Sequence, residues 1–116
     1  WAAAAVSPDL ALHCNVGAST SKSPDRAASH VVDGDPNTRW TSAYSDNQWL
    51  SIDLGQAHSL SHIAVRWEAA CAEAYRLQGS ADGAVWQTLV SERGREGWVL
   101  TALPPGSHAR WVRVLC

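Results

Sequence analysis

Short segments of alternating apolar and polar residues run through most of this chain. In the segment 50–54, Leu and Ile residues alternate with Ser51 and Asp53, and this period of two is typical of a strand with one buried face. Other stretches of strand-like length are separated by Gly, Pro, Asn and Asp residues, and they cover 63–68, 75–80, 85–90, 98–101 and 111–115. No segment supports a helix longer than a turn or two. The pattern therefore predicts an all-β sandwich or barrel.

The residues between these segments predict how the strands are connected. Asp82 and Gly83 favour a tight hairpin, because Gly accepts a positive φ at little cost. Gly55 is expected to end the first of the alternating strands, and the Leu-Pro-Pro-Gly sequence at 103–106 is expected to form a rigid connector. The segment 68–75 contains good helix formers but only eight residues, so we expect a loop or a single turn.

Length and composition indicate a single domain. A chain of 116 residues is long enough for one hydrophobic core and too short for two. Residues 1–9 are Ala-rich and lack apolar periodicity, so we expect a linker or N-terminal extension there and the domain over 10–116. The longest apolar run, 1–6, is far below the roughly 20 residues that span a bilayer, so we expect no membrane insertion. The chain starts at Trp1 and contains no Met, which is compatible with a processed, secreted protein or a piece of a longer one.

Charge and aromatic content narrow the choice of partners. Nine Lys and Arg residues against eleven Asp and Glu residues give a net charge of −2, so the chain lacks the basic field that phosphate backbones and anionic membranes require. We therefore expect no nucleic-acid partner. The chain has seven Trp and no Phe. Since indole supplies a large buried area, we expect most of these tryptophans in the core and a minority as ligand platforms.

The sequence carries no recognisable catalytic pattern. The five histidines are scattered, and no Ser–His–Asp order, Cys–His pair or Gly-rich phosphate loop occurs. A glycoside hydrolase would need two carboxylates facing one cleft, and only Glu68 with Asp46 offers such a pair. We predict that the domain is not an enzyme.

Four stretches of the chain resemble a known superfamily. They are DLAL at 9–12, the stretch at 28–55 that contains VVDGDPNTRWTSAYSDNQWLSIDLG, the stretch at 62–89, and ARWVRV at 109–114. Together they resemble the discoidin, or coagulation factor V/VIII type C, superfamily, and within it the family 32 carbohydrate-binding modules attached to microbial glycan-degrading enzymes. The resemblance implies a galactose-binding-like jelly-roll β-sandwich. It also implies an extracellular, non-catalytic module that docks reversibly on glycans through loops at one end of the sandwich.

The resemblance ends earlier than the family's pattern does. Members of the family continue past the VRV strand into a further loop and a final strand, whereas this chain stops at Cys116. We therefore expect the domain over 10–116 to be incomplete at its C-terminus. The alternative function is an adhesion or matrix-assembly module. Such a module would bind a protein partner through the open sheet edge or through the loops at the same end of the sandwich. A phospholipid-binding module would need apolar loop tips, and the loops at 21–25 and 43–47 are polar.

The segment 33–39 is the candidate cation site. It carries two carboxylates and a hydroxyl on a short Gly- and Pro-containing loop, and Ca²⁺ prefers such oxygen ligands. The plainer interpretation is a polar turn that caps backbone N–H groups. The resemblance implies a structural Ca²⁺ site at Asp33, Asp35 and Thr38. The family's remaining ligand, a Glu in the final strand, has no counterpart here.

Two residues are the main candidates for sugar recognition, which needs an aromatic face and fixed polar groups in a shallow site. Tyr44 and Glu68 match positions where chitosan-binding and related family members carry ligand contacts, and both are expected at the same end by strand direction. Each has a plainer interpretation. Tyr44 would pack across its own loop, and Glu68 would be a solvated loop carboxylate.

Two basic residues are expected beside them. Arg39 either clamps a ligand with its planar guanidinium group or pairs with an internal acid such as Asp53. The loop 21–25 is expected at the same end, and Lys22 is the nearest equivalent of the acid that chitosan-binding members present there. A cationic amino-sugar polymer is therefore expected to be a poorer ligand than a neutral or acidic glycan.

The three cysteines are too few and too widely spaced for a zinc cluster. By strand direction, Cys71 follows a strand that ends at the binding end, and Cys116 ends a strand whose continuation in this family contributes to the same end. We expect a Cys71–Cys116 disulfide. The alternative is Cys14–Cys116, although Cys14 should lie near the opposite end; otherwise Cys14 is free or pairs with a segment outside this chain.

Overall fold

The computed structural model describes residues 10–11, 14–19, 28–32, 48–67 and 73–116. Within these ranges no helix has the length and apolar character needed to cross a bilayer. A 3₁₀-helix occupies Ala28–Val32. The strands are β1 (Asn15–Ala18), β2 (Trp49–Ser59), β3 (His62–Trp67), β4 (Ala74–Ser80), β5 (Gln87–Arg93), β6 (Gly97–Ala102) and β7 (His108–Leu115).

The strands form two antiparallel sheets. The large sheet has five strands in the order β1-β2-β7-β4-β5, and the small sheet pairs β3 with β6. Non-consecutive neighbours such as β2 and β7 bring distant parts of the chain together. The structure confirms the predicted all-β sandwich.

The hydrophobic core lies between the two sheets. The small sheet contributes Ile63 and Val65, and the large sheet contributes Leu77, Val112 and Val114. These residues occupy alternate positions of their strands, because successive side chains of a strand point to opposite faces. The period of two in the sequence therefore identified the buried face of each sheet.

Strand β2 does not end where the sequence suggested. Gly55 adopts a φ of +88°, and its N–H donates a hydrogen bond of 2.9 Å to Oδ1 of Asp53. The pairing with β7 changes register between Asp53 and His58, and the strand continues to Ser59. The positive φ of Gly55 thus produces a β-bulge, in which the strand bends and continues.

Strands β4 and β5 form the predicted hairpin, but the six residues 81–86 connect them, so the connection is longer than the tight turn expected. Gly83 has a φ of +77°, and the Asp82 carboxylate accepts hydrogen bonds from the N–H groups of Val85 (3.0 Å) and Ala84 (2.9 Å). These backbone hydrogen bonds, that of Val85 first, hold the pKa of Asp82 below its ordinary value. The Asp-Gly pair therefore forms this turn by the chemistry expected of it.

A polar network crosses the outer face of the large sheet. Nε of Arg113 donates to Oε1 of Gln78 at 2.8 Å, and Nε2 of Gln78 donates to Oγ1 of Thr88 at 3.1 Å. The guanidinium carbon of Arg113 lies 4.3 Å from the centroid of the Trp86 ring. The network gives the buried side chain of Gln78 its partners, as buried polar groups require.

The described tryptophans depart from the prediction that most of them lie in the core. Among the described residues, the buried hydrophobic core is aliphatic apart from Tyr75. Trp67 packs against the margin of the core, whereas Trp98 is 48% exposed. Trp111 instead covers Gly83 of the β4–β5 turn, where a Cβ would lie 3.1 Å from the indole. The inward positions of two facing sheets accept Val, Ile and Leu, and the larger indoles lie at the edges and outer faces.

Candidate functional site

The two sheets share one end. In the large sheet, Trp49 at the start of β2 is opposite Leu115 at the end of β7. In the small sheet, Trp67 at the end of β3 is opposite Gly97 at the start of β6. The rings of Trp67 and Tyr75 connect the sheets here, with centroids 5.0 Å apart. We call this the loop end, because the connections after β1, before β2, after β3 and after β5 all leave from it.

The predicted ligand residues belong to segments that border this end. The segments 20–27, 33–47 and 68–72 lie outside the described residues, and the strand ends next to 20, 47 and 68 are all at the loop end. The prediction of a shared site required these strands to end on the same side of the sandwich, and they do. The predicted site residues that lie outside the described ranges are Lys22, Asp33, Asp35, Thr38, Arg39, Tyr44, Glu68 and Cys71.

Hydrogen bonds at the loop end hold the borders of the connection 20–47 side by side. The hydroxyl of Ser19 donates to Oε1 of Gln48 at 2.7 Å and accepts the N–H of Trp49 at 2.9 Å. The N–H of Ser19 donates to the carbonyl of Trp49, and the N–H of Cys116 donates to the carbonyl of Gln48, each at 2.9 Å. The connection therefore leaves and re-enters the sheet at one fixed point.

An aromatic pair forms the base of the loop end between the sheets. Tyr75 is 2% exposed, and burial raises the pKa of its phenol. Among the described residues, neither the Tyr75 hydroxyl nor Nε1 of Trp67 has a hydrogen-bond partner. A phenol with a raised pKa stays protonated at neutral pH, and Tyr75 contributes here by packing in the core and against Trp67.

Sequence reasoning missed one exposed pair near this end. Trp98 is half exposed, and the guanidinium carbon of Arg66 lies 6.0 Å from the centroid of its ring. The signal was present in the alternation, because Val99 points inward and its neighbours must then point outward. The alternation predicts a strand at Trp98, and only the burial of Val99 shows that the indole is on the outer face.

Cys116 lies at the loop end, as predicted. Its thiol is free in this structure and partly buried, and burial raises its pKa. Cys71 lies outside the described residues, so the Cys71–Cys116 disulfide remains a prediction. Cys14 lies at the opposite end, where Asn15 is opposite Asp53. Cys14 is level with Leu54 and Cys116 with Gln48, so six positions of β2, or about 20 Å, separate them. This is too far for the alternative Cys14–Cys116 bond with the strands in this arrangement.

Two described acids, Glu73 and Glu96, are exposed and directly precede β4 and β6 at the loop end, whereas Asp53 is held away from it. Asp53 accepts two hydrogen bonds from Arg110, from Nε at 2.9 Å and from Nη2 at 3.0 Å. The side-chain hydrogen bond from Arg110 lowers the pKa of Asp53. The acid that the sequence offered as an internal partner of Arg39 is thus held by another arginine. Within the described ranges, no three His, Cys, Asp or Glu residues are grouped so as to hold a metal ion.

The fold and the converging strand ends agree with a comparison against known families. A family model described as the F5/8 type C domain matches residues 15–116. The chain belongs to this family. Among solved structures, this F5/8 type C domain is similar to chitosan-binding module 2 of a chitosanase/glucanase from Paenibacillus sp. IK-5, determined with chitotriose. The TM-score is 0.86 and the identity 33%, over 92% of this chain and 86% of that one.

Two further comparisons are with a curated protein and with another solved structure. Polysaccharide lyase 8 family protein HylA of Enterococcus faecalis is 32% identical over 76 residues, which is 66% of this chain and 6% of that protein. The chain therefore spans a small fraction of that relative. A family 32 module of CpGH89 from Clostridium perfringens, in complex with GalNAc-β-1,3-galactose, has a TM-score of 0.74 over 90% of this chain and 84% of that one. Its identity of 18% shows the jelly-roll fold alone. The resemblance inferred from the sequence is confirmed.

Proposed function

We propose that this F5/8 type C domain is a non-catalytic module that docks reversibly on extracellular glycans through its loop end. The observation that carries the proposal is the likeness to a chitosan-binding module, at 33% identity over 92% of the chain. Polymeric glycans are met outside the cell, so the proposal includes an extracellular location. We also propose that the domain belongs to a larger extracellular protein, whose other parts it would hold near a glycan.

The proposed contacts are those predicted from the sequence. Tyr44 would stack on the C–H face of a sugar, and Glu68, Arg39 and Lys22 would bind its hydroxyls or charged groups. The borders of their segments converge at the loop end, which supports a shared site. A shallow site of this kind buries little surface, so the affinity for one sugar is modest. Several tethered copies would raise it through effective concentration.

The proposed ligand is a neutral or acidic glycan. The chitosan-binding members carry an acid in the loop where this chain has Lys22. The positive charge of Lys22 would repel a cationic amino-sugar polymer, whereas an acid attracts it. The domain should therefore bind chitosan more weakly than its Paenibacillus relative does.

A double substitution tests the proposed function. Tyr44→Ala with Glu68→Ala is expected to weaken binding to the best ligand of a glycan array at least tenfold, because loss of about 1.4 kcal/mol of contact is a factor of ten. Affinity is measured by titration calorimetry. The control is Val85→Ala with Gln87→Ala, two exposed residues of the β4–β5 hairpin, at the opposite end, which should bind as the wild type does.

Three results would decide against the proposal. Unchanged affinity in the Tyr44 and Glu68 variant would remove the loop end from the site. Binding to a protein partner with no glycan bound would favour the adhesion or matrix-assembly alternative. Release of reducing ends from a bound glycan, abolished by Glu68→Gln, would make the domain an enzyme.

The proposal includes a structural Ca²⁺ ion held by Asp33, Asp35 and Thr38. The oxygen donors of the segment suit this cation. The preceding 3₁₀-helix ends at Val32, which is 2% exposed, so the chain enters the segment from a buried anchor. The ion would brace the segment 33–47 and take no part in sugar chemistry.

Removal of the metal tests the calcium site. Thermal unfolding is compared in EDTA, in CaCl₂ and in MgCl₂, for the wild type and for Asp35→Asn. Calcium 100-fold above its dissociation constant would stabilise the fold by about 2.7 kcal/mol, which raises the Tm by several degrees. Asp35→Asn should lose this shift, and Mg²⁺ should not reproduce it. An identical Tm in EDTA and CaCl₂ would contradict the calcium site.

A further inference from the structure

The outer face of the small sheet differs from the other described surfaces. The register pairs Arg66 with Trp98 and Ala64 with Leu100. Ile63, Val65, Val99 and Thr101 are buried, so the alternate residues of both strands point outward. We call this surface the Trp98 face. It consists of His62, Ala64, Arg66, Trp98, Leu100 and Ala102.

Two large apolar side chains of the Trp98 face are exposed to solvent. Trp98 is 48% exposed and Leu100 is 52% exposed. They lie on the same face two positions apart, so their exposed surfaces are continuous. Contiguous exposed apolar surface commonly marks a binding site.

We infer that the Trp98 face is an accessory surface for an acidic polysaccharide, which continues onto it from the loop end. Trp98 supplies an aromatic face for the C–H side of a sugar ring. Arg66, opposite it, supplies a planar guanidinium for the carboxylate of a uronic acid. The inference rests on the proposed function, and it adds a second contact region and a charge preference to it.

The geometry of the pair fits this role. The guanidinium carbon of Arg66 lies over one face of the Trp98 ring, 6.0 Å from its centroid, and the indole is still 48% exposed. Arg66 is exposed and forms no ion pair with a described carboxylate. Its hydrogen-bond donors are therefore available to an anionic ligand.

The position of the pair connects it with the loop end. Arg66 and Trp98 form the pair next to Trp67 and Gly97, the last pair of the small sheet at that end. One pair along a strand is about 3.3 Å, which is less than the length of a sugar ring. A polysaccharide chain that occupies the loop end and turns over the small sheet meets Trp98 first.

Charge favours an acidic glycan over a second copy of this chain. The strands β3 and β6 contain no Asp or Glu, so Arg66 is the charged side chain of the Trp98 face, and exposed Glu96 lies just before β6 at the loop end. A second copy docked on the same face would bring one Arg66 guanidinium near the other. Six outward residues are also far fewer than the roughly 20–30 per partner of a stable protein interface.

Oligomannuronates of two lengths test the inference. We expect the wild type to bind an octasaccharide more tightly than a disaccharide, because only the longer ligand reaches the Trp98 face. Trp98→Ala and Arg66→Gln should each weaken octasaccharide binding about fivefold to tenfold and leave disaccharide binding unchanged. For the neutral octamer of N-acetylglucosamine, Trp98→Ala should weaken binding and Arg66→Gln should not.

Matched controls come from exposed residues elsewhere. Val85→Ala removes exposed apolar surface from the opposite end, and Arg76→Gln removes an exposed arginine from the large sheet. Both variants should bind the octasaccharide as the wild type does. Circular dichroism and urea unfolding check that all four variants are folded.

Several results would overturn the inference. They are equal affinity for the two mannuronate lengths, octasaccharide affinity unchanged in Trp98→Ala, or tighter binding of the neutral octamer than of the acidic one. Sedimentation showing a dimer that Trp98→Ala dissociates would assign the face to self-association. If Tyr44→Ala with Glu68→Ala abolishes binding and Trp98→Ala does not affect it, the proposed function stands and only this inference fails. If the loop variant binds both mannuronate lengths as the wild type does, the proposed function fails, and the accessory role of the Trp98 face fails with it.

Discussion

Replacing Leu77 with alanine is expected to lower the free energy of unfolding by about 3 kcal/mol, which is typical of a buried Leu truncated to Ala. Leu77 is 0% exposed and lies on β4, which is paired on one side with β5 and on the other with β7. Two hydrogen-bonded neighbours prevent the backbone from moving into the space that the side chain leaves. The cavity should therefore persist, and its cost should appear in urea unfolding as a lower midpoint with an unchanged slope.

The same substitution at Leu100 is the control. Leu100 is 52% exposed on the outer face of β6, so Leu100→Ala should change stability by less than about 0.5 kcal/mol. The two variants lose the same atoms and differ only in burial. Equal losses would show that the core is not centred between the two sheets as described.

The second large effect is expected at the β4–β5 turn. Gly83 has a φ of +77°, and a Cβ there would lie 3.1–3.4 Å from three atoms of the Trp111 indole. An L-residue in this left-handed conformation costs about 1–2 kcal/mol, and the contact forces the indole or the turn to shift at a further cost of about 1 kcal/mol. Gly83→Ala should therefore destabilise the domain by about 2–3 kcal/mol in urea unfolding.

Gly106 separates the two contributions. It has a similar φ of +80°, but a Cβ there would meet nothing within 4 Å. Gly106→Ala should show the conformational cost alone, about 1–2 kcal/mol. If Gly83→Ala costs no more than Gly106→Ala, Trp111 does not restrict the space at this turn.

The candidate site was predictable from the sequence as a region and not as a set of contacts. Strand direction is a local property, so the alternating segments and their short turns predict that the loops before β2 and after β3 leave the same end. The register of Trp49 with Leu115 and of Trp67 with Gly97 agrees with that. The roles of Tyr44 and Glu68 depend on the positions of their side chains, which strand direction does not determine, so those roles remain predictions.

The sequence pattern also did not predict which tryptophans lie on the outer faces of the sheets. A tryptophan has the same apolar character in a core and on a surface, and the expectation that most would be buried followed from size alone. Trp98 lies outward because its neighbour Val99 lies inward. Trp111 lies over Gly83 because β7 is adjacent to β4, which is not a sequence neighbour.

The sequence by itself determined the all-β class, the buried positions of most strands and the hairpin at Asp82-Gly83. Each of these follows from interactions within a few residues, namely side-chain alternation and the φ preference of glycine. The tertiary structure decided that Gly55 makes a bulge within β2, and that Asp53 binds Arg110, which is 57 residues away. It also decided which side chains the outer faces present. These features depend on which strands become neighbours, and that is set by contacts between distant residues, which no local pattern contains.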